Sequence, residues 1–329
     1  QARIVHMEQS LETGDWQAFL DRELRMTKPD PETVQSASPR TADLLVPVCD
    51  ESVLRVAGAD AATFLHGQLS TDIEAMQQGE HHLSSWNSAR GRVLSTLRIL
   101  RREEDFLLFV PDDLAATVLT RLRMFILRAR VELADLTDQV ARIGVCGPGV
   151  GQWVDSLRTD SQVTVLRLAG SLPRIEFLGP PRAVVSAWNR LKGAGAMVAE
   201  GESWRHARIL AGEPRTHEAT SDEFVAQMLG LHELGAIDFR KGCYPGQEII
   251  ARLQYRGTLK KRLVAGSVSA DRIPAPGAVL ERADTRAGIG TIVEAAGRPP
   301  HIDFLAVVSV EALENSLEVV IDGHGVTWQ

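Results

Sequence analysis

From Leu259 onward the sequence changes texture, and that change limits the fold more than any other feature. LKKRLVAGSVS, GAVLERA, AGIGTIVEAA, FLAVVSV and LEVVIDG are short apolar runs separated by Gly and Pro. Five or six such strands without helices between them read as a small C-terminal β-barrel or sandwich. The preceding chain reads differently. SVLRVAG (Ser52–Gly58) is strand-like, and Asp60 is placed to cap a short helix carrying Phe64 and Leu65. RVLSTLRILRREEDFLLFVP reads as two antiparallel strands turning at RREED. Asp112 or Asp113 then starts a helix with Leu114, Val118 and Leu122 on one face, and ARVELADLTD adds a strand. VARIGVCG, VTVLRL and PRIEFLG follow as strands. A helix opens at Pro181, carries Val184, Trp188 and Leu191, and stops near Gly193. Strands followed by a helix, twice over, suggest two related α+β units. Met7–Arg25 reads as a polar helix and MTKPDPETVQSASPRTA as a linker. The expected order is a helix and linker over 1–40, α+β regions over 41–135 and 136–257, and a barrel over 258–329.

A chain of 329 residues with 44% hydrophobic content can bury more than one core. The net charge of -7 removes a general attraction to nucleic acid and leaves only local patches. RGTLKKRL (Arg256–Leu263) is such a patch; it suits a protein, an RNA or a solvated strand edge. No apolar run reaches the roughly eighteen residues of a spanning helix. The opening stretch QARIVHMEQSLETGDWQAF lacks the apolar core of a secretion signal. A cytoplasmic, monomeric protein without membrane contact is expected. Cys49, Cys146 and Cys243 are far apart in sequence, which argues against a disulfide framework or zinc-finger spacing. No permanently bound metal is expected.

The stretch KGCYPGQEIIAR (Lys241–Arg252) sets a thiol beside an amine, two glycines and a carboxylate. An ammonium at Lys241 favours a thiolate at Cys243, and so do helix N–H groups near Gly246. Gly242 and Gly246 permit close backbone approach, while Gln247 and Glu248 supply polar groups. The opposite reading stays open, because free cysteine is often buried and inert. Glu248 and Arg252 also make an ordinary i,i+4 pair. Other candidates are Gln68, Thr71 and Asp72 after the first short helix, and Asn87 and Arg90 before a strand. Arginine suits a carboxylate partner, yet Arg90 and Arg92 read equally well as solvated loop charges. Trp204 and Arg208 share a helix face, where Trp204 either stacks on a ring or fills core. His66, His206 and His232 have no ligand-like spacing and read as structural or surface residues.

KGCYPGQE, followed by Arg256–Gly257, resembles the signature of the folate-binding YgfZ family, within the glycine-cleavage T-protein (aminomethyltransferase) superfamily. FLHGQLSTDI, NSARGRVLSTLRIL, RLRMFILRARVEL and WRHARILAGEP support the resemblance, which runs from about residue 45 to the end. It implies an α+β fold of three domains around a central cavity, with a C-terminal β-barrel. It implies a pocket for tetrahydrofolate or a derivative, to which Gln68, Thr71, Asp72, Asn87, Arg90, Trp204, Gln227, Gly242, Tyr244, Gly246, Gln247 and Glu248 contribute. It makes Cys243 the candidate reactive thiol, with Lys241 beside it. The implied role is assembly or repair of iron–sulfur enzymes, chiefly four-iron ones, with assembly or client proteins as partners and an indirect effect on tRNA thiomodification. Two departures stand out. Ser95 and Thr96 occupy positions where the aminomethyltransferases carry an acidic pair, which argues against glycine-cleavage chemistry. Ala226–Gln227 replaces a frequent Pro-Gln. A folate-dependent one-carbon transferase, a tRNA-binding module and a scaffold remain the alternatives.

Overall fold

The computed structural model describes residues 15–26, 38–155 and 162–329. The start of the expected Met7–Arg25 helix and most of the linker lie outside these residues. In chain order the elements begin with α1 (Asp15–Met26), β1 (Leu44–Pro47), β2 (Glu51–Ala57), α2 (Ala61–His66), β3 (His81–Asn87), β4 (Val93–Arg101) and β5 (Asp105–Pro111). Then come α3 (Asp112–Phe125), β6 (Glu132–Asp135), β7 (Ala141–Cys146), α4 (Gly151–Asp155), β8 (Thr164–Leu168), β9 (Arg174–Gly179), α5 (Pro181–Gly193), β10 (Met197–Val198) and α6 (Glu202–Leu210). The last part holds α7 (Gln247–Arg256), β11 (Lys261–Ser269), β12 (Val279–Arg282), β13 (Gly288–Arg298), β14 (His301–Ser309), α8 (Val310–Glu314), β15 (Val319–Ile321) and β16 (His324–Trp328).

The chain forms two compact units. One contains the described residues up to Asp50 together with Leu136–Ala211; the other contains Glu51–Asp135 and Gly212–Gln329. The grouping is thus discontinuous, unlike the contiguous ranges read from the sequence. The physical reason is β1, which pairs with β7 and β10 rather than with the strand that follows it.

In the first unit the sheet order is β10-β1-β7-β9-β8. β7 is buried along its whole length, and α5 lays Val184, Trp188 and Leu191 into the core it shares with Ile143, Val145 and Phe177. Pro181 at the start of α5 loses no helical hydrogen bond, since the first N–H groups have no partner there.

In the second unit the sheet order is β3-β4-β5-β2-β6, all antiparallel. DFLLFVP has seven buried residues in succession and takes the central position of this sheet as β5. α2 and α3 cover one face, with Phe64, Leu65, Leu114, Val118 and Leu122 against Leu54, Val56, Leu97, Ile99 and Leu108. Asp60 precedes α2 but its side chain makes no cap there. It accepts the Arg130 backbone N–H at 2.8 Å and the Arg130 guanidinium at 3.1 Å instead. β11-β14-β13-β12-β15-β16 form a closed barrel, as the texture after Leu259 indicates, around Leu280, Ile292, Phe304, Ala306 and Val308. Closure pairs Gly266–Val268 of β11 with β16 and removes free sheet edges.

Candidate functional site

The motif Lys241–Glu248 lies in the second unit, and most of its side chains hold the backbone in place. Lys241 is buried, and its Nζ donates to the carbonyls of His66 and Leu69, the latter at 2.7 Å. These carbonyls belong to the last turn of α2 and the turn after it, where helix geometry leaves acceptors unpaired. The Tyr244 ring lies 4.8 Å from the same ammonium, within cation–π range. Burial pulls Lys241 down to about 8, against the opposing pull of Asp72, Asp238 and Glu74. Burial likewise pushes the Tyr244 hydroxyl up to about 12. Gln247 Nε2 donates to the Lys241 carbonyl at 3.3 Å, closing the loop on itself.

Gly246 has φ 77°, and a Cβ there would fall 2.5 Å from Gly91 Cα and from the Ser88 carbonyl oxygen. The motif therefore rests backbone to backbone on the tight β3–β4 turn, whose Gly91 N–H donates to the Ser88 carbonyl at 2.9 Å. From the other side, Gln227 Nε2 donates to the Ile250 carbonyl of α7 at 2.6 Å. Glu248 is exposed in the first turn of α7, where a carboxylate complements the helix dipole. Gly242 and Cys243 are exposed. The fold spends Lys241 on helix carbonyls, so its tie to the thiol is through the shared loop.

Beside this loop lies a cavity of about 480 Å³. Its position follows from pairing upstream of the motif. The Asp238 N–H donates to the Ser70 carbonyl at 2.9 Å, and the Ser70 hydroxyl donates to the Ala236 carbonyl at 2.6 Å. This sets Ile237–Arg240 against Thr71 and Asp72. Ala75, Met76 and Ile237 give the cavity apolar lining, Phe239 and Tyr255 give aromatic lining, and Asp72, Glu80, His82, Asp238 and Arg240 give polar lining. Phe239 and Tyr255 meet edge to face at 6.2 Å. Asp72 Oδ1 accepts the Ala75 N–H at 3.1 Å and lies 3.1 Å from His66 Nδ1. Asp238 Oδ1 accepts the Arg240 N–H at 2.7 Å. The arrangement offers carboxylate acceptors, aromatic edges and an exposed guanidinium, a set suited to a planar, donor-bearing heterocycle with an acidic tail.

Of the residues expected from the sequence, Thr71 and Asp72 line this cavity. Gln68 and Asn87 are nearby in chain but turn inward; Asn87 Nδ2 donates to Ser85 Oγ at 3.0 Å, and Gln68 Oε1 and Asn87 Oδ1 are buried without a hydrogen-bond partner. Arg90 is exposed and ion-paired with Asp222, whose carboxyl also accepts from the Ser88 hydroxyl at 2.8 Å. Burial opposes ionisation of Asp222, but Ser88 and Arg90 outweigh it and hold its carboxyl below the usual range. Trp204 belongs to the first unit and is 2% exposed. Its ring packs on Gly144 and under the Arg174 guanidinium, so it fills core and has no free face for stacking. Ser95 and Thr96 are buried, with Ser95 Oγ on the Thr96 carbonyl at 2.9 Å and Thr96 Oγ1 on the Thr216 N–H at 3.0 Å. Asp238, Phe239, Arg240, Glu80 and His82 went unread in the sequence. The first three directly precede the motif, and that adjacency was the available signal. Cys146 is buried, but Cys49 is exposed, contrary to the apolar setting its strand-like neighbours suggest. It lies just past the end of β1, outside the strand. No cluster of three or more metal-ligating side chains occurs among the described residues, and no helix among them is long and apolar enough to cross a membrane.

This α+β architecture with its terminal barrel is that of the glycine-cleavage T proteins. The aminomethyltransferase T of the Bartonella henselae glycine cleavage system superposes with a TM-score of 0.69 over 88% of this chain and 86% of that one, at 16% identity. Residues 40–169 match the GCVT N-terminal domain family. The "tRNA-modifying protein YgfZ" of Klebsiella pneumoniae (strain 342) is 30% identical over 263 residues, 77% of this chain and 80% of the relative. Its counterpart in Shigella sonnei (strain Ss046) is 28% identical over 264 residues, with the same coverage. The chain belongs to the YgfZ family, within the aminomethyltransferase superfamily.

Proposed function

We propose that this protein binds a reduced folate in the cavity beside the KGCYPGQE loop and serves the assembly or repair of iron–sulfur enzymes. The observation that carries the reading is the donor and acceptor set of the cavity. Carboxylates at Asp72 and Asp238 accept from the amino and ring N–H edge of a pterin, which an aromatic wall of Phe239 and Tyr255 packs against. Arg240 supplies a fork for the glutamate tail. When bound, tetrahydrofolate supplies a carrier for one-carbon units. The protein's part is to hold that carrier next to a fixed loop that exposes Cys243. Lys241, Gly246 and Gln247 fix the loop, and Cys243 engages what a client presents: a one-carbon unit, a cluster or a partner thiol. Ser95 and Thr96 carry hydroxyls tied to a backbone carbonyl and to Thr216, so neither supplies a carboxylate for aminomethyl transfer. Relatives are named tRNA-modifying proteins. In this reading the link runs through iron–sulfur enzymes that modify tRNA. A cytoplasmic location and client proteins as partners are part of the same proposal.

Calorimetric titration with tetrahydrofolate tests it. The wild type should bind, and Asp238→Asn should weaken binding by tenfold or more. Arg240→Ala should cost about 0.2–1 kcal/mol for tetrahydrofolate, as for an exposed ion pair, and nothing for a tetrahydropterin without the tail. No heat at millimolar ligand with folded protein would exclude the folate role.

A further inference from the structure

Downstream of the motif the chain carries a run of cations that folate binding does not use. From Ile249 to Ala270 there are five cations, Arg252, Arg256, Lys260, Lys261 and Arg262, and no acid, in a protein of net charge -7. All five are exposed. None of the five takes part in an ion pair or side-chain hydrogen bond among the described residues, whereas Arg55, Arg98, Arg102, Arg130 and Arg142 all do. α7 is a surface helix whose one fully buried side chain is Ile250. Arg252, Tyr255 and Arg256 stand three and four residues apart on it, so they share a face. Tyr255 is 71% exposed and is steadied by its edge contact with Phe239 at 6.2 Å. Lys260 follows Arg256 by four residues, at most roughly 14 Å of chain; Lys261 and Arg262 begin β11, where successive side chains point to opposite faces.

We propose that this segment is a docking surface for single-stranded or looped RNA. Five unpaired cations close together in the chain supply the charge to neutralise phosphates. An exposed tyrosine between two arginines is set to stack a base, which a purely electrostatic patch does not require. An acidic protein segment satisfies the charges with carboxylates, whereas RNA supplies a planar base with every phosphate, and RNA is therefore the better fit. The cations stand apart from the folate reading while Tyr255 is shared with it, and the inference adds a direct RNA contact.

The test is fluorescence anisotropy with a labelled 20-nucleotide oligouridylate, titrated at several salt concentrations. The wild type should bind with a salt slope of about -3.5, the value for five phosphate contacts on a single strand. Lys260→Gln, Lys261→Gln and Arg262→Gln together should reduce that slope by about 2. Tyr255→Ala should weaken binding about 5- to 100-fold with the slope unchanged. In the unaltered chain, a 4-thiouridine oligomer should crosslink to the peptide that contains Tyr255, a readout that needs no variant. Absence of binding at low salt, or a crosslink elsewhere, overturns the proposal. So does binding that polyphosphate or a polyglutamate peptide matches and that Tyr255→Ala leaves unchanged. Folate binding by the triple glutamine variant should equal that of wild type, which separates failure of this surface from failure of the cavity.

Discussion

Lys241 Nζ and the Leu69 carbonyl oxygen are 2.7 Å apart, a hydrogen bond between segments separated by 172 residues. It pins the signature loop to the end of α2 and so to the segment that lines the cavity. Lys241→Ala removes the donor and leaves buried carbonyls unpaired, and it should destabilise the protein by about 1.5–3 kcal/mol. Urea unfolding measures this. Unchanged stability with slower Cys243 alkylation would instead make Lys241 an activator of the thiol. The pH dependence has a definite sign. Native Lys241 titrates near 8, against 10.5 for the free side chain. Between these values the unfolded chain holds a proton that the native chain has released, so this group favours the native state increasingly as pH rises. The stability difference between wild type and Lys241→Met should shift toward wild type from pH 8 to pH 10.5.

Gly246→Ala should be worse than Gly242→Ala. At Gly246 a Cβ meets backbone atoms of Gly91 and Ser88 at 2.5 Å and φ is 77°. At Gly242 the nearest atom is His66 Nε2 at 3.2 Å, at the end of a side chain that can shift. The first substitution should cost at least about 1–3 kcal/mol and the second less. Urea midpoints of the two variants decide it, and equal midpoints would remove the backbone contact as the reason for this glycine.

The three thiols should separate by access. Cys243 and Cys49 are exposed, and burial pushes the Cys146 thiol up to about 12. Iodoacetamide should label Cys243 and Cys49 in the native protein and Cys146 only after unfolding, as read by peptide mass spectrometry. Cys243→Ser should change stability by no more than about 0.5 kcal/mol. The same variant should impair maturation of iron–sulfur clients. Full client activity with Cys243→Ser would leave the thiol without a chemical role.

His217 joins Asp113 at 3.2 Å to the buried Glu294 at 3.3 Å within the second unit. Burial disfavours its charge, but the two carboxylates outweigh that and raise its pKa above 6.5. The stabilisation is therefore full below pH 6.5 and is lost as pH rises through the higher native value. His217→Gln should lose this pH dependence, followed by urea midpoints from pH 5 to 9. Parallel profiles for the two proteins would count against a charged His217.

Patterned elements were legible in the sequence. β5 announces itself as seven consecutive buried residues, and α3 presents Leu114, Val118 and Leu122 at helical spacing. The barrel follows from the texture of its strands. β3 was not legible, because its buried positions include Ser84, Ser85 and Asn87, which a sequence pattern assigns to a loop. Their burial depends on partners such as Ser70 and Thr71 in another segment. The same limit hid the direction of Lys241. Its neighbour in sequence is Cys243, but its partners are His66 and Leu69. Arg90 looked free until the fold brought Asp222 to it, and Arg240, next to the motif, had no pattern to mark it.

Amide hydrogen exchange with and without tetrahydrofolate locates the ligand most directly. The account predicts slower exchange in peptides spanning 68–82 and 235–245 of the wild type, and loss of that protection in Asp238→Asn. Protection confined to other segments, or none at saturating tetrahydrofolate, would contradict a folate site in this cavity.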